Sequence, residues 1–118
     1  METQTAEWVL EQYKQGCRVF TNIELPGFSS LRGADLCGAD FSGSFLSGVD
    51  FTDANLKQVR FDDCNVKLSI FRNANLSGAS FKRSTLCGAD FTGADISGTS
   101  AEGASWYGAD IDTLARLF

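Results

Sequence analysis

Residues 34–51 read Ala34-Asp35-Leu36-Cys37-Gly38-Ala39-Asp40-Phe41-Ser42-Gly43-Ser44-Phe45-Leu46-Ser47-Gly48-Val49-Asp50-Phe51. A large apolar residue returns at every fifth position, here Leu36, Phe41, Leu46 and Phe51. Followed in both directions, the spacing holds from Leu31 to Ile111: 16 of these 17 central positions are large and apolar, and Ala101 is the exception. At the other positions of residues 29–113 the large apolar residues are Phe45, Val49, Val59, Leu68, Ile70 and Tyr107. Calling the central position i, position i−2 is small or β-branched throughout, i−1 is Asp or Asn 9 times, and i+2 is Gly 10 times. A self-similar period of this kind is the signature of a repeat architecture.

A period of five fits neither regular element. On an α-helix five residues advance about 140°, so the large residues would wind around the rod. A straight strand alternates with period two, so successive central residues would point to opposite faces. A strand stub that turns a corner every five residues satisfies the pattern. Residues i−2, i−1 and i then point in, out and in, while i+1 and i+2 form the bend. Gly at i+2 suits a corner that needs positive φ, and Asp or Asn at i−1 can accept bonds from local turn amides. The large residues also set the number of corners. Phe stands at 41, 51, 61, 71, 81 and 91, with aliphatic residues between. A coil of 20 residues with four sides turns this alternation into uniform columns: Phe51, Phe71 and Phe91 face Phe41, Phe61 and Phe81. Leu36, Leu56, Leu76 and Ile96 make the third column, and Leu46, Val66, Leu86 and Trp106 the fourth. A three-sided coil would mix the two residue types.

The Ala-Asp/Asn-Leu-x-x consensus over residues 29–113 resembles the pentapeptide-repeat family. The resemblance implies an all-β solenoid, a right-handed quadrilateral parallel β-helix, here of about 4–5 coils for 17 repeats. It also implies a protein-interaction or scaffold role of the kind common in bacterial, especially cyanobacterial, members. A fluoroquinolone-resistance branch of the family resembles duplex DNA in shape and charge and binds DNA gyrase. That makes a DNA-mimicking topoisomerase regulator the alternative expectation, carried by Asp50, Asp53, Asp90, Asp110 and Asp112 on one side. Arg32 and Arg72 interrupt that stripe, and the rod is short for the purpose.

The flanks depart from the repeat. Residues 1–17 read as an N-terminal capping segment containing a helix over 5–15. Thr5 is its N-cap, Glu7 lies in the first turn, Lys14 in the last, and Gly16 is the stop. Ala6, Val9, Leu10 and Tyr13 share its apolar face. Phe20 and Leu25 keep the spacing one residue out of frame with Leu31, and the mismatch falls at Pro26-Gly27, so residues 18–28 form an irregular first coil. Residues 114–118 form a C-terminal cap, and Leu114, Leu117 and Phe118 are candidates for an end-to-end homodimer contact if the protein is not a monomer.

Composition narrows function. The chain of 118 residues contains no His, which removes the commonest general base and metal ligand. A net charge of −5 argues against direct nucleic-acid binding. Cys17, Cys37, Cys64 and Cys87 show no CxxC pair, and Cys37 and Cys87 fall on opposite sides, so neither zinc nor a disulfide is expected. No apolar run is long enough to span a membrane, and the start has neither a basic n-region nor an apolar stretch after it, so a cytoplasmic location is expected. The reading is of a protein that is not an enzyme and needs no cofactor, with an unidentified protein as partner. Phe45, Leu68 and Tyr107 fall on one side and Ile70 just around its corner. These four form the candidate partner surface.

Overall fold

The computed structural model describes residues 1–107. Leu114, Leu117, Phe118, Asp110 and Asp112 lie outside the described residues. Regular elements are few: β1 (Glu2–Thr3), α1 (Ala6–Lys14) and β2 (Ile23–Glu24). The rest is held by isolated parallel bridges, which from Ser30 onward run from each i−1 residue to the one 20 positions on. They form four ladders: Ser30–Asp50–Ile70–Asp90, Asp35–Asn55–Asn75–Asp95, Asp40–Arg60–Ser80–Ser100 and Phe45–Asn65–Thr85–Ser105. We name each side after a central residue: the Phe51, Leu56, Phe61 and Leu46 sides, in that order. Leu56 shows the repeating unit: its N–H donates to Asn75 O at 2.8 Å, Asn75 N–H returns to Ala54 O at 3.0 Å, and Ala54 N–H closes the turn on Phe51 O at 3.0 Å.

Stacking in this register places like on like. Phe51, Phe71 and Phe91 stack with centroids 5.1 Å apart and nearly parallel rings. Phe20, Phe41, Phe61 and Phe81 stack opposite at 5.0–5.7 Å. The two columns meet edge to face, as at Phe61–Phe71, 5.7 Å and 75°. Every central residue from Leu31 to Phe91 is buried, and Ala34, Ala39, Ala54, Ala74, Ala79 and Ala89 fill the small i−2 sites. Outside, the i−1 carboxylates and amides accept from the turn, as Asp50 Oδ1 does from Thr52 N–H at 2.9 Å.

The frame mismatch has a concrete form. Val19 bridges Asp40 and Glu24 bridges Phe45, each 21 residues on rather than 20. The extra residue lies at Pro26: Leu25 stays buried, but the turn closes from Ser29 N–H to Pro26 O at 3.1 Å, so the bend is delayed by one position. Phe28 takes the positive-φ corner, at +68°.

The first coil is covered by the N-terminal segment. β1 pairs in parallel with β2 and extends the Leu46 ladder by one rung. In α1, Thr5 Oγ1 accepts from Trp8 N–H at 3.0 Å, and Val9 and Ala6 are buried. Tyr13 Oη donates to Cys37 O at 2.8 Å. Leu10, assigned to the packing face, is instead 39% exposed. Trp8 packs in its stead because the Phe20 ring stands on that flank, edge-on at 6.1 Å. Among the described residues no helix is long and apolar enough to cross a membrane.

One acid departs from the solvated repeat face. Asp62, on the Phe61 side, is buried. It accepts from Ser80 Oγ, from Lys82 N–H at 3.0 Å and from Arg60 Nη2 at 3.2 Å, clamping one coil to the next. Ser80 stands where other repeats carry Asp or Asn, so the Lys82 amide takes its acceptor from the coil before. Burial alone would push the Asp62 pKa up, but the Ser80, Lys82 and Arg60 bonds outweigh it and hold the carboxyl below its usual value.

Two outcomes follow for stability, read by urea unfolding. Phe61→Ala removes a ring that contacts four others and is expected to cost about 3–5 kcal/mol. Asp62→Ala takes the acceptor from the half-buried Ser80 hydroxyl and from the Lys82 amide, at a cost of about 1–2 kcal/mol. Because the Asp62 pKa is depressed in the fold, its contribution is present above the ordinary carboxylate pKa and is lost as pH falls through the folded value. Asp62→Asn should therefore flatten the acid limb of the stability profile; an unchanged acid limb would refute the clamp.

Candidate functional site

Each side presents its i−1, i+1 and i+2 side chains outward, and the four sides differ. The Phe61 side is densely charged: Asp40, Arg60, Asp62, Asp63, Lys82, Arg83 and Glu102. There Arg83 grips Asp63 one coil away through Nε at 2.9 Å and Nη2 at 3.1 Å. The Leu56 side carries a polar ladder in which Asn55 Nδ2 donates to Asp35 Oδ1 at 3.2 Å. The Phe51 side holds a shallow open groove between Arg32, Asp50, Asp53, Arg72, Asn73 and Asp90, with Thr52 and Ile70 in its floor. Its charges alternate from coil to coil. Arg72 Nε donates to Asp90 Oδ2 at 2.6 Å, and Arg32 Nη1 lies 3.9 Å from Asp50 Oδ2. Of the acids of the supposed DNA-like stripe, Asp50 and Asp90 are thus matched by arginines of the same side.

The Leu46 side is the opposite case. Its coils expose Phe28 (96%), Phe45 (48%), Leu68 (58%) and Tyr107 (91%). Glu24 and Lys67 are its charged residues among the described outward positions. Of the sequence-derived candidates, Phe45, Leu68 and Tyr107 therefore share this side. Ile70 sits half-buried around the corner, in the charged groove of the Phe51 side. Phe28 was missed because the extra residue at Pro26 hides its register. Once the shift is counted, it stands in the corner column of Gly48, Leu68 and Gly88: its N–H donates to Gly48 O at 3.1 Å.

Corners are where the backbone is strained. Among the described repeats position i+2 has positive φ, and Asp53, Gln58, Asp63, Leu68 and Asn73 in succession occupy it without Gly. Asn and Asp tolerate that region; Leu68, at φ +62°, does so at a cost of about 1–2 kcal/mol. Its side chain lies flat over the corner below, where a Cβ on Gly88 would stand 2.6 Å from Leu68 Cδ2. No such cover protects Gly48: only the backbone of Gly27 and Phe28 comes within 4 Å of a Cβ placed there.

The chemistry available is limited. Cys64 is buried, donates to Phe41 O at 2.9 Å, and burial pushes its thiol up to about 12, far from a nucleophile. Among the described residues no cluster of three or more acidic or cysteine side chains is placed to hold a metal ion.

Comparison with known proteins bears on the whole chain. A family model described as a pentapeptide repeat region matches residues 18–91. The fold is similar to that of a pentapeptide repeat protein from Nostoc PCC 7120, with a TM-score of 0.87 and 24% identity over 98% of this chain and 93% of that one. A pentapeptide repeat protein of the Arabidopsis thaliana thylakoid lumen is 34% identical over 68% of this chain and 63% of its own, with a TM-score of 0.60. QnrB1, a plasmid-mediated fluoroquinolone resistance protein, is 21% identical over 93% of this chain and 65% of its own, with a TM-score of 0.65. This chain spans just under two thirds of the latter two. No curated protein matches the sequence.

Leu68 carries a definite expectation. Leu68→Asn relieves the left-handed strain, as Asn73 does at the equivalent corner, and should leave stability unchanged or raise it by up to about 1 kcal/mol. Thermal and urea unfolding measure this; a loss above that size would mean that Leu68 is there for the fold.

Proposed function

The chain belongs to the pentapeptide-repeat family, and from that premise we propose that it is a cytoplasmic, non-enzymatic protein-interaction module. It is built as a right-handed quadrilateral β-helix of about 4–5 coils under an N-terminal cap. Its Leu46 side is the contact surface, and no cofactor takes part. One observation carries the reading: apolar side chains are concentrated on the side with the fewest charges. Phe28, Phe45, Leu68 and Tyr107 are solvent-exposed there, at outward positions that the packing of the core does not dictate. Large exposed apolar groups gathered on one face mark interaction sites, whereas scattered ones carry no message. The lack of His and the openness of the one groove noted among the described residues both speak against catalysis.

A second reading has the likeness to QnrB1 in its favour: a DNA-mimicking regulator of DNA gyrase. It would need an uncompensated row of carboxylates on the Phe51 side, where Arg32 and Arg72 stand beside Asp50 and Asp90.

Two measurements separate the readings. Affinity capture from the native cytoplasm should recover a partner in stoichiometric amount, and Phe45→Asp combined with Leu68→Asp should abolish capture with unfolding unchanged; capture that persists refutes the surface. In a supercoiling assay, micromolar protein should neither inhibit gyrase nor protect it from a fluoroquinolone. Either effect would favour the DNA-mimic reading.

A further inference from the structure

Independently of the Leu46 side, we propose that the far end of the rod is a socket for the chain's own residues 114–118, with the Phe118 ring taking the place that Ala101 vacates over Phe81. Ala101 is the one central position of the repeat that is not large. The bridge from Ser80 to Ser100 puts it in the column of Phe41, Phe61 and Phe81. Rings lie one upon another there, Phe61 on Phe81 at 5.0 Å. Phe71 and Phe91 meet Phe81 edge to face, at 5.6 and 5.9 Å. In its own column, therefore, the face of Phe81 towards the last described coil meets only a methyl group. A site one ring deep, left empty, would forfeit the contacts that hold the rest of the column together.

The end is nonetheless closed. Ile96 and Ala101 are 5% and 3% exposed, against 41% for Trp106 in the same coil, and no described coil follows them. The cover thus lies over the Leu56 and Phe61 sides and less over the Leu46 side. It is not α1, which closes the opposite end, where Trp8 stands against Phe20.

Sequence order brings suitable residues to those two sides. After Tyr107 the repeat pattern runs on through Ala109-Asp110-Ile111, the i−2, i−1 and i residues of the Phe51 side. The next side in order is that of Leu56, and there the pattern reverses. Leu114 falls at i−2, where the repeats carry small or β-branched residues, and the charged Arg116 falls at the centre. A guanidinium on the rod axis without a partner bears a prohibitive desolvation cost, so no further side can be laid down in register. Leu114, Leu117 and Phe118 have instead the i, i+3, i+4 spacing that gathers apolar side chains on one face of a helical turn. Phe118 is the one aromatic residue after Tyr107, and it comes after the Leu56 side, in the direction of the Phe61 side where Ala101 stands. With this end closed as α1 closes the other, partners are left with the sides.

A double-mutant cycle in urea unfolding of the full chain tests the socket. Phe118→Ser should lower the midpoint by at least about 0.5 M, the loss of one buried ring at ordinary denaturant sensitivity. Ala101→Phe restores the residue that the column uses and fills the socket from within, so in that background Phe118→Ser should move the midpoint by less than about 0.2 M. Ala101→Leu, a smaller filling, should also reduce the loss and serves where the larger ring is not accepted. No loss on Phe118→Ser alone, or an equal loss in the filled backgrounds, overturns the assignment. Sedimentation equilibrium up to roughly 500 µM should keep the wild type at 12.7 kDa. A dimer that Phe118→Ser dissociates would give the socket to the segment of a second copy and overturn closure within one chain.

Discussion

The structure depends on one register: each i−1 residue from Ser30 onward pairs with the one 20 positions further on. Because the bridges are parallel and in step, whatever side chain occupies an inward site meets the same site of the next coil. Phenylalanines therefore lie ring on ring at about the separation of neighbouring strands. Two such columns facing each other interlock edge to face, as Phe51, Phe61, Phe71 and Phe81 do. The small i−2 residues are the other half of this condition. With large side chains at both inward positions of each five-residue side, four sides would overfill the coil. Where Ser or Cys replaces Ala, the polar group bonds inward to backbone, as Ser69 Oγ does to Leu46 O at 2.7 Å, so the core stays satisfied.

The same register concentrates cost at the corners. Four times per coil the chain must adopt positive φ, which Gly does freely and Asn and Asp do at small expense. A side chain placed at one corner settles over the next, which is why Gly43 lies under Asn22, Gly93 under Asn73 and Gly88 under Leu68. Where two side chains follow one another they must be compatible, and Asp63 above Arg83 is solved as an ion pair. Corner identity is thus constrained from coil to coil, while the outward i−1 and i+1 positions are constrained mainly by turn amides. Function has most freedom at those sites, and it is there and at the corners that the four sides diverge.

Periodicity made the inward half of the molecule readable, since only one backbone path sends every fifth residue to a common axis. The columns named from spacing alone are the columns of stacked rings. What spacing does not carry is any feature that breaks it. Phe28 escaped notice because a single extra residue at Pro26 moves the corner without moving the buried Leu25, and the sequence marks a mismatch but not which bond absorbs it. Asp62 stands at i+1, a position that spacing alone sends outward, and the one mark of its cross-coil task is the Ser at position 80, where most repeats offer the turn amide a carboxylate or amide oxygen. On α1, Leu10 and Trp8 flank Val9 symmetrically by helical angle, so the choice between them belongs to Phe20. Ile70 was expected just around the corner from Leu68, but spacing did not show that the corner turns it into a charged groove.

Magnitudes decide which side has an unmet need. On the charged sides some charges are already paired: Arg72 with Asp90 and Arg83 with Asp63. Exposed pairs of this sort contribute about 0–1 kcal/mol and gain little more when a partner with further charges arrives. Burying a Phe or Leu side chain is favourable by roughly 1.5–3 kcal/mol. On the Leu46 side that gain is unrealised at Phe28, Phe45 and Leu68, and at Leu68 the backbone bears left-handed strain besides. A fold that offers Gly, Asn or Asp for such corners has no internal reason to keep a leucine there. The strain at Leu68 and the exposure of Phe45 are two costs borne on one face, and association that removes both from water is the event that would offset them.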